Sequence, residues 1–546
     1  MTTDAPLVTT HSLPLPSLQP ISAMQRIDAL DILRGFALMG ILLMNIEWFN
    51  RPIAELSSFD STASGLDYAF GWLVRCFVEG KFYKLFALLF GMGFAVMLNR
   101  ALQAGRPFKA WFIRRMLVLW CIGLAHLIFL WEGDILHDYA FAGLCMLGFV
   151  LLLESKWKKY NHPAAWLKIA LWWLALPFMI TVIAGIGYGV SVDANDAEQA
   201  WQEQQTVQRL VSELEQQETS LDTLESAASV AANELTQTAS SFDNLGNDND
   251  HHLAEVSNGQ DNIVNTTVQS LDDKPSVAED TNSATPLTVP ELSAEESEAL
   301  ALREQAKEIL AEQAKQADEV AAEISALRDG TYWQATQFRA GQSVTHLLIS
   351  PGFTLTMLLP IFLLGYWLIN IGAMRNPAEH RRLFKSCMFV GLGVGLPLTI
   401  ASLIIMSAPA VDDIIAIQVA SNVLFAVSEF FMTAGYLGLI MSLLQTVSWQ
   451  KRLAILAPMG QMALTNYLMH SLILTSIFYG YAGGFYGEIA RAPQMLLALA
   501  IILMQIPLSA LWLKHFRFGP LEWLWRSLTY MQWQAFRHAP QANTHP

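Results

Sequence analysis

Long apolar runs recur along the chain, and short polar loops separate them. A helix needs about 20 mostly apolar residues to cross the hydrocarbon core of a membrane. By this measure the sequence predicts ten spanning helices, at approximately residues 32–49, 82–98, 112–131, 135–153, 165–190, 346–371, 383–408, 415–444, 454–479 and 492–513. We therefore predict an all-α, polytopic integral membrane protein.

The charge of the connecting loops alternates along the chain, and the alternation predicts an orientation. Short basic loops stay in the cytoplasm, whereas acidic loops contribute little to topology. Basic residues cluster after the second, fourth, sixth and eighth predicted helices, and acidic residues occupy the intervening loops. Arg26 and Arg34 lie at the start of the first helix, and Lys514, Arg517 and Arg526 follow the last. Both termini are therefore predicted to be cytoplasmic.

A large acidic insertion interrupts this pattern. Residues 191–330 carry 30 acidic and 6 basic side chains, which leaves 18 acidic against 27 basic residues elsewhere. The formal charge of −15 for the whole chain is thus a property of the insertion and gives no guide to partners. The remaining basic residues are spread over loops that flank the membrane, so we do not expect the protein to bind nucleic acid.

The insertion is predicted to form a helical hairpin outside the membrane with a disordered tip. Residues 194–235 and 291–328 are rich in Ala, Glu, Gln and Leu, with apolar positions such as Leu210, Leu214, Leu221 and Leu224 at roughly helical spacing. Residues 236–288 are too polar to bury a core. The hairpin could serve as a docking stalk or be a spacer that tolerates variation.

The chain is accordingly divided into five predicted parts. Residues 1–25 form a disordered cytoplasmic lead-in, because they contain neither a basic segment nor a sustained apolar run. Residues 26–190 and 346–513 each form a membrane domain of five helices, on either side of the insertion at 191–345. Residues 514–546 form a cytoplasmic interfacial tail. The four cysteines lie in or beside apolar segments without metal-site spacing, so we predict that they pack and that no metal binds.

Ionisable residues inside a membrane are costly, which makes them the first candidates for function. Asp31 and Arg34 can pair at the cytoplasmic mouth of the first helix, and Asn45 lies near its outer end. An interfacial anchor and a helix-packing asparagine would explain the same residues without any chemistry.

A second polar cluster surrounds the outer turn between the third and fourth predicted helices. His126 lies inside the third helix, and Asp134 and His137 follow closely in the turn. A buried histidine beside a carboxylate is typical of a general base, because the carboxylate orients the ring and stabilises its protonated form. The alternative is that Asp134 caps the fourth helix while His126 makes a hydrogen bond between helices.

Two further sets of polar residues are predicted to line a pathway or to join helices. Gln461, Thr465, Asn466 and His470 form a polar stripe in the ninth helix, and Tyr467 is a further pathway candidate beside them. Glu429 lies in the middle of the eighth helix with no partner evident from sequence. Hydrogen bonding between helices explains the stripe almost as well. After the last helix, Glu522 and Arg526 are spaced for pairing on an interfacial helix.

Five motifs occur in order along the chain and resemble those of the YeiB family of bacterial inner-membrane proteins. They are R-x-x-x-L-D-x-L-R-G at 26–35, K-F-Y-x-L-F-x-L-L-F-G at 81–91, G-D-I-L-x-x-Y-A at 133–140, L-T-N-Y at 464–467 and G-P-L-E-W-x-W-R at 519–526. The resemblance implies location in the bacterial inner membrane. It also implies a fold related to transmembrane acyltransferases, which take an acyl group from cytosolic acyl-CoA and modify an acceptor on the far side.

The same resemblance leaves the catalytic base open. Bacterial O-acyltransferases have a histidine eleven residues after an arginine of the first helix, and that count from Arg34 leads to Asn45. The related heparan-α-glucosaminide N-acetyltransferase uses a histidine in the following outer loop, but residues 50–81 contain none here. We therefore expect His126 with Asp134 to substitute, with His137 and His470 as further candidates.

The leading functional hypothesis is acyl transfer across the membrane. Asp31, Arg34 and Arg526 would bind acyl-CoA as a co-substrate, no cofactor would be held permanently, and His126, Asp134 and Asn45 would act on an extracytoplasmic acceptor. A transporter or channel for a small or lipidic solute, and a scaffold that docks a periplasmic partner, are the alternatives. Membrane lipids are expected neighbours, and a homodimer is left open.

The loop charges make a direct prediction about topology. A reporter that is active only outside the cytoplasm should work when fused after Gly133, Asn247 or Asp413, because these positions follow the rule for outer loops. The same reporter should be inactive after Arg106 or Lys159, which are matched positions in basic loops. Activity at either of the latter positions would overturn the ten-helix arrangement.

Overall fold

The computed structural model describes residues 28–52, 56, 64–191, 194–243, 293–407 and 415–538. Within these residues the fold is helical, and a single isolated bridge joins Phe516 to Arg537. The helices are α1 Asp28–Asn50, α2 Gly65–Phe77, α3 Lys81–Gln103, α4 Lys109–Phe129, α5 Leu136–Ser155, α6 Pro163–Ser191, α7 Ala194–Asp243, α8 Ala294–Ile324, α9 Tyr332–Phe353, α10 Leu359–Asn370, α11 Arg381–Met406, α12 Ile415–Leu443, α13 Val447–Leu453, α14 Ala457–Gln461, α15 Ala463–Phe478, α16 Arg491–His515 and α17 Pro520–Tyr530.

Nine stretches of the described residues are long and apolar enough to cross a membrane, and α15 is a shorter apolar helix. Two of the nine join neighbouring helices, α2 with α3 over Gly65–Gln103 and α9 with α10 over Tyr332–Asn370. The structure therefore confirms the predicted class, an all-α polytopic membrane protein. The predicted orientation of its termini stays a prediction.

The ninth predicted span is not one continuous helix. Where the sequence predicts a helix over residues 454–479, the chain forms a short 3-10 turn at Ala454–Leu456, the five-residue α14, and then α15 after a non-helical Met462. Two local features explain the break. Pro458 occupies the first turn of α14 and lacks the N–H that would continue the preceding turn. Gly460 packs so closely on α1 that a Cβ there would lie 1.9 Å from the carbonyl oxygen of Asp31.

The sixth predicted span begins earlier than the sequence pattern indicated. The predicted start was residue 346, but α9 begins at Tyr332. Thr331 and Gln334 form a reciprocal capping box there, which satisfies two backbone N–H groups at the helix start. A π-helical turn at Thr354–Leu358 then connects α9 to α10. The polar first turns of α9 explain why hydropathy alone placed the boundary too late.

Of the described residues, those at 194–243 and 293–317 form a compact unit of their own. Within it, α7 and α8 pack through Val207, Val211 and Ala306. Of the predicted apolar stripe, Leu210 and Leu214 join this contact, whereas Leu221 and Leu224 are 60% and 66% exposed. The apolar contact thus covers only part of the length of α7. The predicted lead-in at 1–25 and residues 244–288 of the predicted tip lie outside the described residues.

The membrane part has an extensive apolar core to which α1, α3, α4, α5, α10 and α15 all contribute. Helices α3 and α10 approach closely because Gly365 of α10 has no side chain. A Cβ at Gly365 would lie 2.1 Å from the carbonyl oxygen of Leu88 and 2.8 Å from the backbone nitrogen of Met92. Small residues commonly allow such close backbone contact between membrane helices.

This contact predicts the effect of adding side-chain volume to α10. Gly365→Val should lower the free energy of unfolding by about 1–3 kcal/mol or more, because overpacking forces the backbones of α3 and α10 apart. Gly148→Val is the matched control, since a Cβ at Gly148 of α5 would meet open space. The unfolding midpoints of both variants in detergent measure the effect. Equal midpoints would show that α10 does not depend on this contact.

Candidate active site

The outer turn between α4 and α5 holds a buried histidine and carboxylate. His126 lies in the last turn of α4, and its Nδ1 is 2.8 Å from Oδ1 of Asp134. Both side chains are fully shielded from solvent. The structure therefore brings together the pair that the sequence analysis singled out.

The second oxygen of Asp134 binds the start of α5. Its Oδ2 accepts a hydrogen bond from the backbone N–H of His137 at 3.0 Å and lies 2.9 Å from Nδ1 of the same residue. Burial on its own would raise the pKa of Asp134, but the hydrogen bonds from His126 and His137 outweigh it and hold that pKa at about 2. Asp134 therefore anchors the helix start and orients His126 at the same time, so the two interpretations drawn from sequence are compatible.

The other ring nitrogen of His126 contacts a residue that sequence reasoning missed. Nε2 of His126 is 2.7 Å from Oγ of Ser471, a buried residue of α15. Because an ionised Asp134 can only accept, Nδ1 carries a hydrogen, and in the neutral tautomer with that hydrogen Nε2 accepts from the Ser471 hydroxyl. The one available signal was that Ser471 directly follows His470 in the polar stripe.

Two other residues of that stripe join α15 to α16. His470 Nε2 is 2.7 Å from Oε1 of Gln505, and the amide of Asn466 donates to Oγ of Ser509 at 3.0 Å. These contacts are the hydrogen bonds between helices that sequence analysis gave as the alternative. Tyr467 contacts the candidate base instead, with its ring centroid 5.3 Å from that of His126.

A cavity of about 240 Å³ adjoins the site and runs along α3. The polar groups that line it are Asp31, Arg34, Arg100, Arg115, Tyr139, Gln461, Tyr467, Glu522 and Arg526. Apolar side chains such as Leu38, Phe86, Phe90 and Leu119 complete the wall. All three residues predicted to bind acyl-CoA thus share one cavity, and Arg100 and Arg115 join them.

The charged groups of the cavity lie at one end, where basic loops join the helices. We call this the basic end of the cavity. Four guanidinium groups face two carboxylates, so the cavity has an excess of positive charge. Arg34 pairs with Asp31 at 3.0 Å, and Glu522 accepts a hydrogen bond from the backbone N–H of Leu464 at 2.7 Å, next to the start of α15. Arg115 lies over the ring of Trp525 at 3.6 Å.

The remaining predicted residues lie outside this cavity. Asn45 is half-buried on α1 and does not line the cavity wall. Glu429 of α12 has a partner that sequence did not reveal, because its Oε2 is 2.5 Å from Nζ of Lys84 on α3. Both members of this ion pair are buried.

These features define a polytopic α-helical membrane protein with a buried histidine–carboxylate site beside a cationic cavity. Residues 368–532 match the model of a protein family of unknown function, DUF418. The chain is 27% identical over 528 residues to the uncharacterized protein YxaH of Bacillus subtilis, an alignment that spans 95% of this chain and 98% of that protein. It is 24% identical over 510 residues to the uncharacterized protein YeiB of Escherichia coli, spanning 93% of this chain and 97% of YeiB.

A shorter match, 39% identical over 132 residues, links 24% of the chain to 36% of an uncharacterized 39.9 kDa protein of Bacillus acidopullulyticus. No solved structure matches the chain. The family match and the near full-length relatives confirm the resemblance seen in the motifs. The chain thus resembles YxaH and YeiB over nearly its whole length.

The hydrogen bonds of Asp134 predict how its replacement will affect stability. Asp134→Ala should lower the free energy of unfolding by roughly 2–4 kcal/mol, because two imidazoles and one backbone N–H lose a buried acceptor. Asp134→Asn should lose less, since one acceptor oxygen remains. Asp329→Ala, at a 59% exposed side chain, is the control and should stay within about 0.5 kcal/mol of wild type. An Ala variant as stable as the control would refute the anchoring role.

Proposed function

We propose that the protein is a transmembrane acyltransferase that passes an acyl group from cytosolic acyl-CoA to an acceptor on the far side of the bacterial inner membrane. The observation that carries this proposal is one cavity with four guanidinium groups at the basic end and Tyr467, which contacts His126, in its wall. In this proposal the donor would bind next to the candidate base.

The basic end suits the anionic part of acyl-CoA. Arginine presents several N–H donors in a fixed planar arrangement that matches phosphate oxygens, and it stacks on aromatic rings. Arg34, Arg100 and Arg526 line the cavity there, and Trp525 adds an aromatic surface beside Arg115. The predicted cytoplasmic position of this end agrees with a cytosolic donor.

The length and lining of the cavity suit the remainder of the donor. It contacts α3 from Phe86 to Arg100, an interval that corresponds to about 21 Å of helix. Leu89, Phe90 and Val96 provide apolar contacts along this interval. A thioester carried on a long flexible arm could thus extend from the guanidinium groups toward the outer turn.

His126 would take up and return the proton at the reacting centre. Its Nε2 accepts a hydrogen bond while Asp134 holds the opposite nitrogen, so the ring has the tautomer and orientation of a general base. Because both groups are shielded from water, the developing imidazolium would be stabilised mainly by Asp134. Asn45, which does not line the cavity, has no role in this mechanism.

One observation favours a transporter as the second candidate function. The ion pair of Lys84 and Glu429 is buried between α3 and α12, and buried ionisable pairs in membranes often mark solute or proton pathways. The double variant Lys84→Met/Glu429→Leu removes both charges together, which avoids leaving one of them unpaired. If this double variant loses solute uptake but releases CoA at the wild-type rate, the ion pair belongs to a separate transport activity.

The acyltransferase proposal is tested by the release of CoA from acetyl-, butyryl- and palmitoyl-CoA, with the purified protein in detergent and mixed hydroxyl and amine acceptors. His126→Gln should preserve folding and lower turnover by about 10²- to 10⁴-fold. Arg526→Ala should raise KM for acyl-CoA, while the exposed Arg517, outside the cavity, serves as control in Arg517→Ala. If wild-type protein neither binds nor consumes any of these donors, the proposal is wrong.

A further inference from the structure

Ser471, His126 and Asp134 form a continuous chain of hydrogen bonds, with Oγ to Nε2 at 2.7 Å and Nδ1 to Oδ1 at 2.8 Å. We propose that Ser471 is a nucleophile that carries the acyl group as a covalent ester between donor and acceptor. This inference rests on the proposed acyltransferase function and assigns a two-step mechanism to the same site.

The order of contacts is the one that a serine nucleophile requires. A base must accept the hydroxyl proton through one ring nitrogen while a carboxylate holds the other nitrogen in its protonated form. The three residues come from α4, from the turn before α5 and from α15, and 345 residues separate Ser471 from His126. The arrangement is therefore a product of the tertiary fold and does not follow from the geometry of a single helix.

The hydroxyl of Ser471 also departs from the usual behaviour of serine in a helix. Helical Ser and Thr side chains commonly bond to a carbonyl of the preceding turn. Ser476 does so on the same helix, donating to the Leu472 carbonyl at 2.6 Å, and Thr475 contacts that carbonyl at 3.4 Å. Ser471 instead donates to His126, so its oxygen is held beside the base.

The position of Ser471 relative to the cavity fits a carrier. Ser471 lies four residues after Tyr467 on α15, and Tyr467 is shared between the cavity wall and the imidazole of His126. Tyr467 thus contacts both the cavity and the base, and movement of its side chain would open a path for a thioester. Ser471 is 1% exposed, so an ester formed there would be protected from hydrolysis.

The two steps balance in atoms and protons. First, Oγ of Ser471 attacks the thioester carbonyl carbon, a C–O bond replaces the C–S bond, and Nε2 of His126 takes the serine proton and gives it to the departing CoA thiolate. Second, an acceptor hydroxyl or amine attacks the ester carbonyl. His126 takes the proton of the acceptor and returns it to Oγ as the serine is released. Donor and acceptor therefore need not occupy the site together.

The test uses full-length purified protein and radiolabelled acetyl-, butyryl- or palmitoyl-CoA in the absence of acceptor. Wild type should release about one CoA per protein in a burst and retain label on the peptide that contains Ser471, removable by hydroxylamine. Ser471→Ala should lose the label and release CoA about 10³-fold more slowly in the presence of acceptor. Ser471→Cys should retain label as a thioester, which neutral hydroxylamine cleaves faster than an ester.

Ser476→Ala is the matched control, because Ser476 is an exposed serine on the same helix and its variant should be labelled like wild type. Comparable unfolding midpoints of the two Ala variants would show that loss of label is not loss of fold, and label on the Cys variant would give the same assurance. Turnover without label in wild type, unchanged by Ser471→Ala, would overturn the covalent step and leave direct acyl transfer standing. Wild type that consumes no donor would overturn both proposals.

Discussion

The candidate site depends on the hydrogen bonds that the carboxylate of Asp134 accepts. One oxygen holds His126 at the end of α4, and the other holds His137 at the start of α5. Because His126 then reaches Ser471 on α15, a single buried anion connects two halves of a membrane domain that the insertion separates in sequence. Buried charge is stable only when its hydrogen bonds are satisfied, so this turn cannot change shape without cost to all three helices.

The interruption before α15 complements this anchor at the basic end. Ending α14 at Gln461 allows Gly460 to pack against the backbone of α1 and exposes the first N–H groups of α15. Glu522 then accepts hydrogen bonds from the backbone N–H groups of Leu464 and Thr465 at 2.7 and 3.1 Å. The N-terminus of a helix favours a nearby carboxylate of this kind. In a continuous helix those two N–H groups would bond to carbonyls of the preceding turn and would not be available to Glu522. The break therefore shapes the cavity wall. The helix that starts after it, α15, also carries Ser471 to the outer turn.

Features that depend on residues close together in the sequence could be predicted, whereas contacts between distant parts of the chain could not. Span length is a property of consecutive residues, and His126 and Asp134 are only eight residues apart across one turn, so both were predictable. The pairs Ser471–His126 and Lys84–Glu429 each join residues 345 positions apart, and nothing local fixes which helix faces meet. The break at Met462 was missed because residues 454–479 taken together are apolar enough to span a membrane, which hydropathy reads as one continuous helix.

The position of Tyr467 also bears on the movement of protons across the membrane. Its side chain lines a cavity that carries cationic groups, and its ring also lies against the buried imidazole of His126. Moving one charge across an energised membrane is worth about 2.3 kcal/mol per 100 mV, so a file of water through this region would let protons flow down the gradient. An aromatic ring packed against the imidazole takes up space that such a file of water would need. The packing of one tyrosine would thus matter for the electrical seal of the membrane as well as for the candidate site.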